Sequence, residues 1–211
     1  IKKVMSNLIQ KNFTYNTNSR RQLEKNINYL AESMEEEKHI NFRTFQFFLQ
    51  KMDGLFQKLI VEKYENVDAI AGVATGAIAQ GALVADLLGL PFVYIRSTPK
   101  DHGLENLIEG ELKPGSKVVI IEDLVSTGGS SLKAVQAVRN FGCDVIGMVA
   151  IFTYGFPVAV EAFKEAKVTL NTLSNYDAVL EEAVRTDYIA ESEIAVLQEW
   201  RKDPSAWDPN K

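Results

Sequence analysis

Cysteine occurs once, as Cys143, so the chain cannot close an internal disulfide. That excludes the small secreted scaffold stapled by several bridges. Set in Phe141-Gly142-Cys143-Asp144-Val145, just ahead of an apolar stretch, it reads as a small buried residue. No apolar run reaches the ~20 residues that a membrane helix needs. Positive charge is in deficit, with 23 Lys and Arg against 28 Asp and Glu for a net charge of −5. The broad basic footprint of a nucleic-acid binder is therefore missing. Internal repeats and low-complexity linkers are absent too. The opening residues Ile1-Lys2-Lys3-Val4 lack the apolar core of a signal peptide. Without an initiating Met they are not expected to mark the natural N-terminus. The expectation is a cytoplasmic protein with neither nucleic acid nor membrane as partner.

What is present is enough apolar material, 46% of 211 residues, for one α/β domain with appendages. The informative stretch is 118–131, Val-Val-Ile-Ile-Glu-Asp-Leu-Val-Ser-Thr-Gly-Gly-Ser-Ser. Four apolar residues without a charge fit a parallel strand covered on both faces. Leu132, Val135 and Val138 then recur at helical spacing, and Gly142 closes the run. Strand, loop and helix follow in that order. Ligands of open α/β sheets sit outside the carboxyl ends of the strands. Glu122 and Asp123 stand at that end, and Ser126 to Ser131 supply amides, hydroxyls and two glycines. Such a turn suits a phosphate. The acids suit the two hydroxyls of a ribose, or a magnesium ion held through water.

Upstream, Leu23, Ile27 and Leu30 predict a helix over Arg20 to Ala31, and Met34 to Lys38 reads as a solvated helix end. His39 has no Cys or carboxylate at ligand spacing and reads as structural. An apolar stripe from Phe42 to Ile60 predicts a core-facing helix. Ala69 to Val73, the turn Ala74-Thr75-Gly76, a small-residue helix Ala77 to Leu88, and Phe92 to Ile95 form one βαβ unit. Residues 96–115 break the pattern, and a connection this long is usually functional or mobile. It carries Arg96, Lys100 and His102, three donors that suit an anionic leaving group. Beyond the central unit, strands are predicted over Val145 to Ile151 and Val168 to Leu173, with a helix over Val158 to Ala166. Asn175 or Asp177 caps a further helix, and Ser192 with Glu193 opens a last one through Trp200.

Glu122-Asp123-Leu124-Val125-Ser126-Thr127-Gly128-Gly129-Ser130 resembles the phosphoribosyl-pyrophosphate (PRPP) motif of type I phosphoribosyltransferases. Arg96-x3-Lys100-x-His102-Gly103 resembles the mobile catalytic loop of orotate phosphoribosyltransferases, and the likeness runs from about Val67 to Asp208. The family's usual Ser-Gly-x-Lys-Ser-Pro-like segment near the N-terminus is not found here. Phe13-Thr14-Tyr15 stands in a comparable place. Ser97 and Thr75 fill positions where some relatives carry lysine.

The resemblance implies the type I phosphoribosyltransferase fold, a central mostly parallel sheet flanked by helices. It divides the chain into an N-terminal helical or hood region (1–60), a core (61–175), and C-terminal helices with a tail (176–211). It implies that Arg96, Lys100, His102 and Asp123 are catalytic. Arg96, Lys100, His102 and Glu122 to Ser130 would bind PRPP, and Ser126 would also touch orotate. Magnesium would be held through PRPP and water without a direct protein ligand. The partners implied are PRPP, orotate and a second copy in a two-fold dimer with shared sites. The implied reaction makes orotidine 5′-monophosphate and diphosphate, a step of pyrimidine biosynthesis. Rival readings are a purine-type or xanthine enzyme, a non-catalytic PRPP sensor, and an interaction protein that kept the fold. Arg-x3-Lys-x-His-Gly speaks against the purine type, and the missing basic surface against the sensor.

Overall fold

The computed structural model describes residues 42–98 and 107–206, with side chains for 53–98 and 107–205. Two compact units meet in sequence at Lys51 and Met52. Of the first, only the helical backbone from Phe42 is described. The helices predicted for 20–31 and near 38, and Lys100 and His102, lie outside the described residues. Everything below concerns the second unit.

Six strands form one sheet: β1 (Ala69–Val73), β2 (Phe92–Ile95), β3 (Ile108–Glu109), β4 (Lys117–Val125), β5 (Asp144–Thr153) and β6 (Leu170–Asn175). Their order is β3-β2-β1-β4-β5-β6, and every pairing is parallel except β2 with β3. The helices are α1 (Phe42–Lys63), α2 (Ala77–Leu88), α3 (Gly129–Asn140), α4 (Pro157–Glu165), α5 (Tyr176–Arg185) and α6 (Ile194–Lys202). The predicted βαβ unit stands with its boundaries unchanged. The sequence reading missed β3, because two residues are too few to show a period.

The apolar alternation of β4 explains its central place. Val118 and Ile120 enter one core with Ala134, Val135 and Val138 of α3 and Ala159 and Phe163 of α4. Val119 and Ile121 enter the opposite core with Phe56 and Ile60 of α1 and Val84 and Ala85 of α2. All four strand residues are fully buried, roughly 1.5–3 kcal/mol of transfer energy apiece. A strand covered on both faces reads as a continuous apolar run because no position meets water. A register shift at Val118/Val119 fits β5 to it, with Gly147 opposite Val119.

Small residues set the depth of α2. A Cβ on Gly72 would lie 2.6 Å from the Ala77 carbonyl oxygen, and one on Gly81 would lie 2.7 Å from the Phe92 ring. The helix can approach β1 only because neither carbon exists. At the other edge, the Asn175 side chain accepts the Ala178 amide at 3.0 Å and caps α5. Trp200 of α6 packs on Tyr154, Phe156 and Tyr176 with ring centroids 5.5–5.8 Å apart, which ties the last helix to the end of β5.

Candidate active site

Two turns meet at the carboxyl ends of β1 and β4. The first is Ala74-Thr75-Gly76, with a cis peptide bond between Ala74 and Thr75. The Ala74 amide donates to the Ile95 carbonyl at 2.8 Å, whereas the amides of Thr75 and Gly76 find no acceptor among the described residues. The second turn is Ser126-Thr127-Gly128, leading into α3.

β4 runs further than the sequence suggested. Pairing with β5 continues through Leu124 opposite Phe152 and Val125 opposite Thr153, so both acids lie inside the strand. Neighbouring strand residues point to opposite faces, so the two acids differ in burial, although the Asp123 carboxylate stays close enough to interact with that of Glu122. Glu122 turns toward α3 and is 4% exposed. Its Oε2 accepts the Ser131 hydroxyl at 2.8 Å, and its Oε1 accepts the Asp123 amide at 3.1 Å. Burial, the largest cause, pushes the Glu122 carboxyl up to about 7. Asp123 is exposed and turns toward the first turn. Its Oδ1 accepts the Leu124 amide at 2.7 Å. A Cβ on Gly76 would collide with the Asp123 carboxylate.

Leu124 is exposed, while Val125 is fully buried in the core. The Val125 carbonyl accepts the Thr153 hydroxyl at 3.2 Å and the Tyr154 amide at 3.3 Å. Val125 therefore anchors the loop and has no side-chain atom to offer a ligand. Ser126 is half-buried, and Thr127, Gly129 and Ser130 are exposed. Gly128 has φ +84, and a Cβ there would also sit 3.0 Å from the Phe163 ring. Glycine is required at that position for both conformation and space. In front of Gly129 nothing lies within 4 Å of where a Cβ would be.

The first intrahelical bond of α3 runs from the Leu132 amide to the Gly128 carbonyl at 2.9 Å. None of the amides of Ser126 to Ser131 donates to a protein acceptor among the described residues. Unpaired amides at a helix start, with open space ahead, make an anion site.

Arg96 follows β2. Its amide donates to the Leu107 carbonyl at 2.7 Å, and its guanidinium pairs with Glu109 at 3.2 Å. β3 thus fixes the arginine at the sheet edge, which the loop reading of 96–115 did not foresee. The sequence marks Ala74-Thr75-Gly76 as a turn at a strand's carboxyl end whose amides suit a second anion, but gives no sign that Gly76 faces Asp123 or that Ser131 differs from the other loop hydroxyls. A small turn after a strand was the only signal for Gly76. Ser131 had been counted among the free hydroxyls of the loop, but its hydroxyl is spent on Glu122.

Among the described residues no group of three or more His, Cys, Asp or Glu could hold a metal, and no helix is long and apolar enough to cross a membrane. Residues 42–179 match the family described as phosphoribosyl transferase domain. The chain is 73% identical over 154 residues to the Orotate phosphoribosyltransferase of Bacteroides thetaiotaomicron, covering 73% of each chain. Among solved structures it is similar to orotate phosphoribosyltransferase from Aeropyrum pernix, with a TM-score of 0.56 and 26% identity over 68% of this chain and 82% of that one. Adenine phosphoribosyltransferase from Leishmania tarentolae shares the fold, with a TM-score of 0.52 and 22% identity over 65% of this chain and 73% of that one.

Proposed function

The chain belongs to the phosphoribosyl transferase domain family, and within it to the orotate phosphoribosyltransferases; from that premise we propose how its residues divide the work. It transfers the phosphoribosyl group of PRPP to N1 of orotate. The C1′–N1 bond forms, the C1′–O bond to diphosphate breaks, N1 gives up its proton to the leaving diphosphate or to solvent, and orotidine 5′-monophosphate and diphosphate result. No protein nucleophile is needed. Catalysis is a matter of placing N1 against C1′ and stabilising the charge that separates between sugar and leaving group.

The observation that carries this reading is the run of unpaired amides at 126–131 beside the exposed carboxylate of Asp123. The amides and the hydroxyls of Thr127 and Ser130 take the 5′-phosphate. Asp123 takes the ribose hydroxyls, as an acceptor-only group aimed across the mouth of the site. The free amides of Thr75 and Gly76 are placed to take part of the diphosphate. Arg96, Lys100 and His102 supply cationic donors to the leaving group, and Ser126 reaches the orotate. The fold does not choose the base, since an adenine enzyme shares it. Identity to the curated orotate enzyme and the Arg-x3-Lys-x-His-Gly loop favour orotate.

The exposed carboxylate of Asp123 is a hard oxygen donor that suits magnesium held through water. The ion, when bound, neutralises charge on the diphosphate. We also propose a two-fold dimer with shared sites and a cytoplasmic setting, the latter in keeping with a single cysteine.

Orotate consumption followed by absorbance, with and without magnesium, tests the reading. PRPP-dependent loss of orotate supports it. Consumption of adenine or hypoxanthine in place of orotate would move the chain to the purine type. PRPP binding without turnover of any base would make it a sensor.

A further inference from the structure

Arg96 comes with a partner that the reaction as described does not use. Val93 and Ile95 enter the core under α3 and α4, so Tyr94 and Arg96 point to the opposite face of β2, where Phe92 packs with α2. Glu109 stands directly opposite Tyr94 in the antiparallel β2–β3 pair and shares its face. Its Oε1 accepts an Nη1 hydrogen of Arg96 at 3.2 Å, with the two side chains 30% and 25% exposed. The remaining N–H donors of the guanidinium find no acceptor among the described residues. β3 is itself well fastened. The Arg96 amide donates to the Leu107 carbonyl at 2.7 Å, and a Cβ on Gly110 would sit 3.1 Å from the Phe92 carbonyl oxygen. The Arg96–Glu109 pair is therefore not needed to keep β3 on the sheet.

Register gives Arg96 its place. Tyr94 and Ile121 both pair with Gly72 of β1. Two residues further on, Arg96, Ala74 and Asp123 fall in one row across adjacent strands. Strands lie about 4.8 Å apart, so about 10 Å separates the backbones of Arg96 and Asp123. Between them lies the turn with the free Thr75 and Gly76 amides.

We propose that Glu109 is a positioning residue for Arg96, taking one edge of the guanidinium and leaving the rest of the fork to the diphosphate. The inference rests on the reading that Arg96 donates to that leaving group. A long side chain loses rotamer freedom when it engages a ligand, and an arginine already tied to a carboxylate has lost it beforehand. Repulsion between Glu109 and the diphosphate works the other way. Both side chains reach solvent, so water and salt screen that repulsion, whereas a direct charge-assisted bond fixes the fork's direction.

Calorimetry with diphosphate and magnesium gives Kd for the parent, Glu109→Ala, Glu109→Gln, Arg96→Ala and the double Ala variant, and kinetics give kcat with KM for PRPP and for orotate. Glu109→Ala should weaken diphosphate and raise KM for PRPP about tenfold, with KM for orotate unchanged. Glu109→Met, which keeps the bulk at the β2–β3 edge without a carboxylate, should match it. Glu109→Gln retains an acceptor oxygen and should lose about twofold. On an Arg96→Ala background Glu109→Ala should change nothing further, since no guanidinium is left to place. Tighter diphosphate in Glu109→Ala would reveal a competing carboxylate and overturn the proposal. So would a parental Kd and KM in Glu109→Ala beside a weakened Arg96→Ala. The same tenfold loss with Arg96 already removed, the mark of a glutamate that only staples β3, would overturn it too. If Arg96→Ala itself binds diphosphate as the parent does, the leaving-group reading of Arg96 fails first and takes the proposal with it.

Discussion

Replacing Gly76 by alanine separates function from stability at one position. Gly76 has φ −60 and ψ −40, an ordinary right-handed conformation, so its backbone does not require glycine. Alanine there lowers the entropy of the unfolded chain, a gain of about 0.4–1 kcal/mol. At a helix N-cap it gives back a similar amount, about 0.5–1 kcal/mol. The added carbon would meet the Asp123 carboxylate, while the Asp123 Cβ would be 3.2 Å away. The carboxylate must swing aside, and because Asp123 is exposed, water can satisfy it there. The expected result is a Tm within about 2 °C of the parent, since the two backbone effects nearly cancel. Activity should not survive so well. Losing hydrogen bonds from a charged acceptor to the ribose costs about 1.5–3 kcal/mol. At 1.36 kcal/mol per decade that is roughly a ten- to 150-fold fall in kcat/KM for PRPP. Thermal melts and orotate-consumption kinetics at varied PRPP measure both quantities. Gly76→Ala combined with Asp123→Asn should be no worse than Asp123→Asn alone. A Gly76→Ala enzyme with parental kcat/KM, beside an impaired Asp123→Asn, would refute the placement of that carboxylate. A Tm drop of many degrees would mean that Gly76 serves the fold.

The buried carboxyl of Glu122 gives a pH signature. Its value is raised from 4.5 to about 7, so between these the folded chain keeps a proton that the unfolded chain releases, and this group's contribution to stability falls as pH rises through that window. Glu122→Gln should therefore raise Tm at pH 8, by up to about 3 kcal/mol of stability, and lose that advantage toward pH 4.5; a Tm difference that is flat with pH would contradict it. Gly128→Ala forces a side chain onto φ +84 and against Phe163 at 3.0 Å, so a loss of about 1–2 kcal/mol from the backbone alone is expected in denaturant melts, together with a raised KM for PRPP. Mixing Lys100→Ala subunits with Asp123→Asn subunits should recover one working site per heterodimer if loops are shared between protomers, and no recovery on mixing would argue against sharing.

The regular elements were legible because their signals are local. Small residues and a terminal Gly89 delimited α2, and Gly89 indeed ends it with φ +66. Four apolar residues in a row located β4, although its end was misjudged. Glu122 and Asp123 look like loop residues by polarity, but pairing with β5 carries the strand past them to Val125. β3 was illegible because its identity comes from its partner, Tyr94 opposite Glu109, and not from its own two residues. Phe42 to Ile60 gave the helix α1, whereas the side of the sheet that Phe56 and Ile60 cover could not be read from the stripe.

By itself the sequence determined the chemistry on offer: two acids and a glycine-rich hydroxyl loop behind a buried strand. Strand and helix periods, and the conformational freedom of glycine, are properties of neighbouring residues, so a linear reading captures them. Tertiary structure alone decided which acid faces outward. It set Asp123 against Gly76, a residue from a different strand end, and buried Glu122 on Ser131. Those outcomes depend on how closely β1 and β4 pair and on which face of the sheet α3 covers. Such distances between separate elements are fixed only when the cores on both faces close.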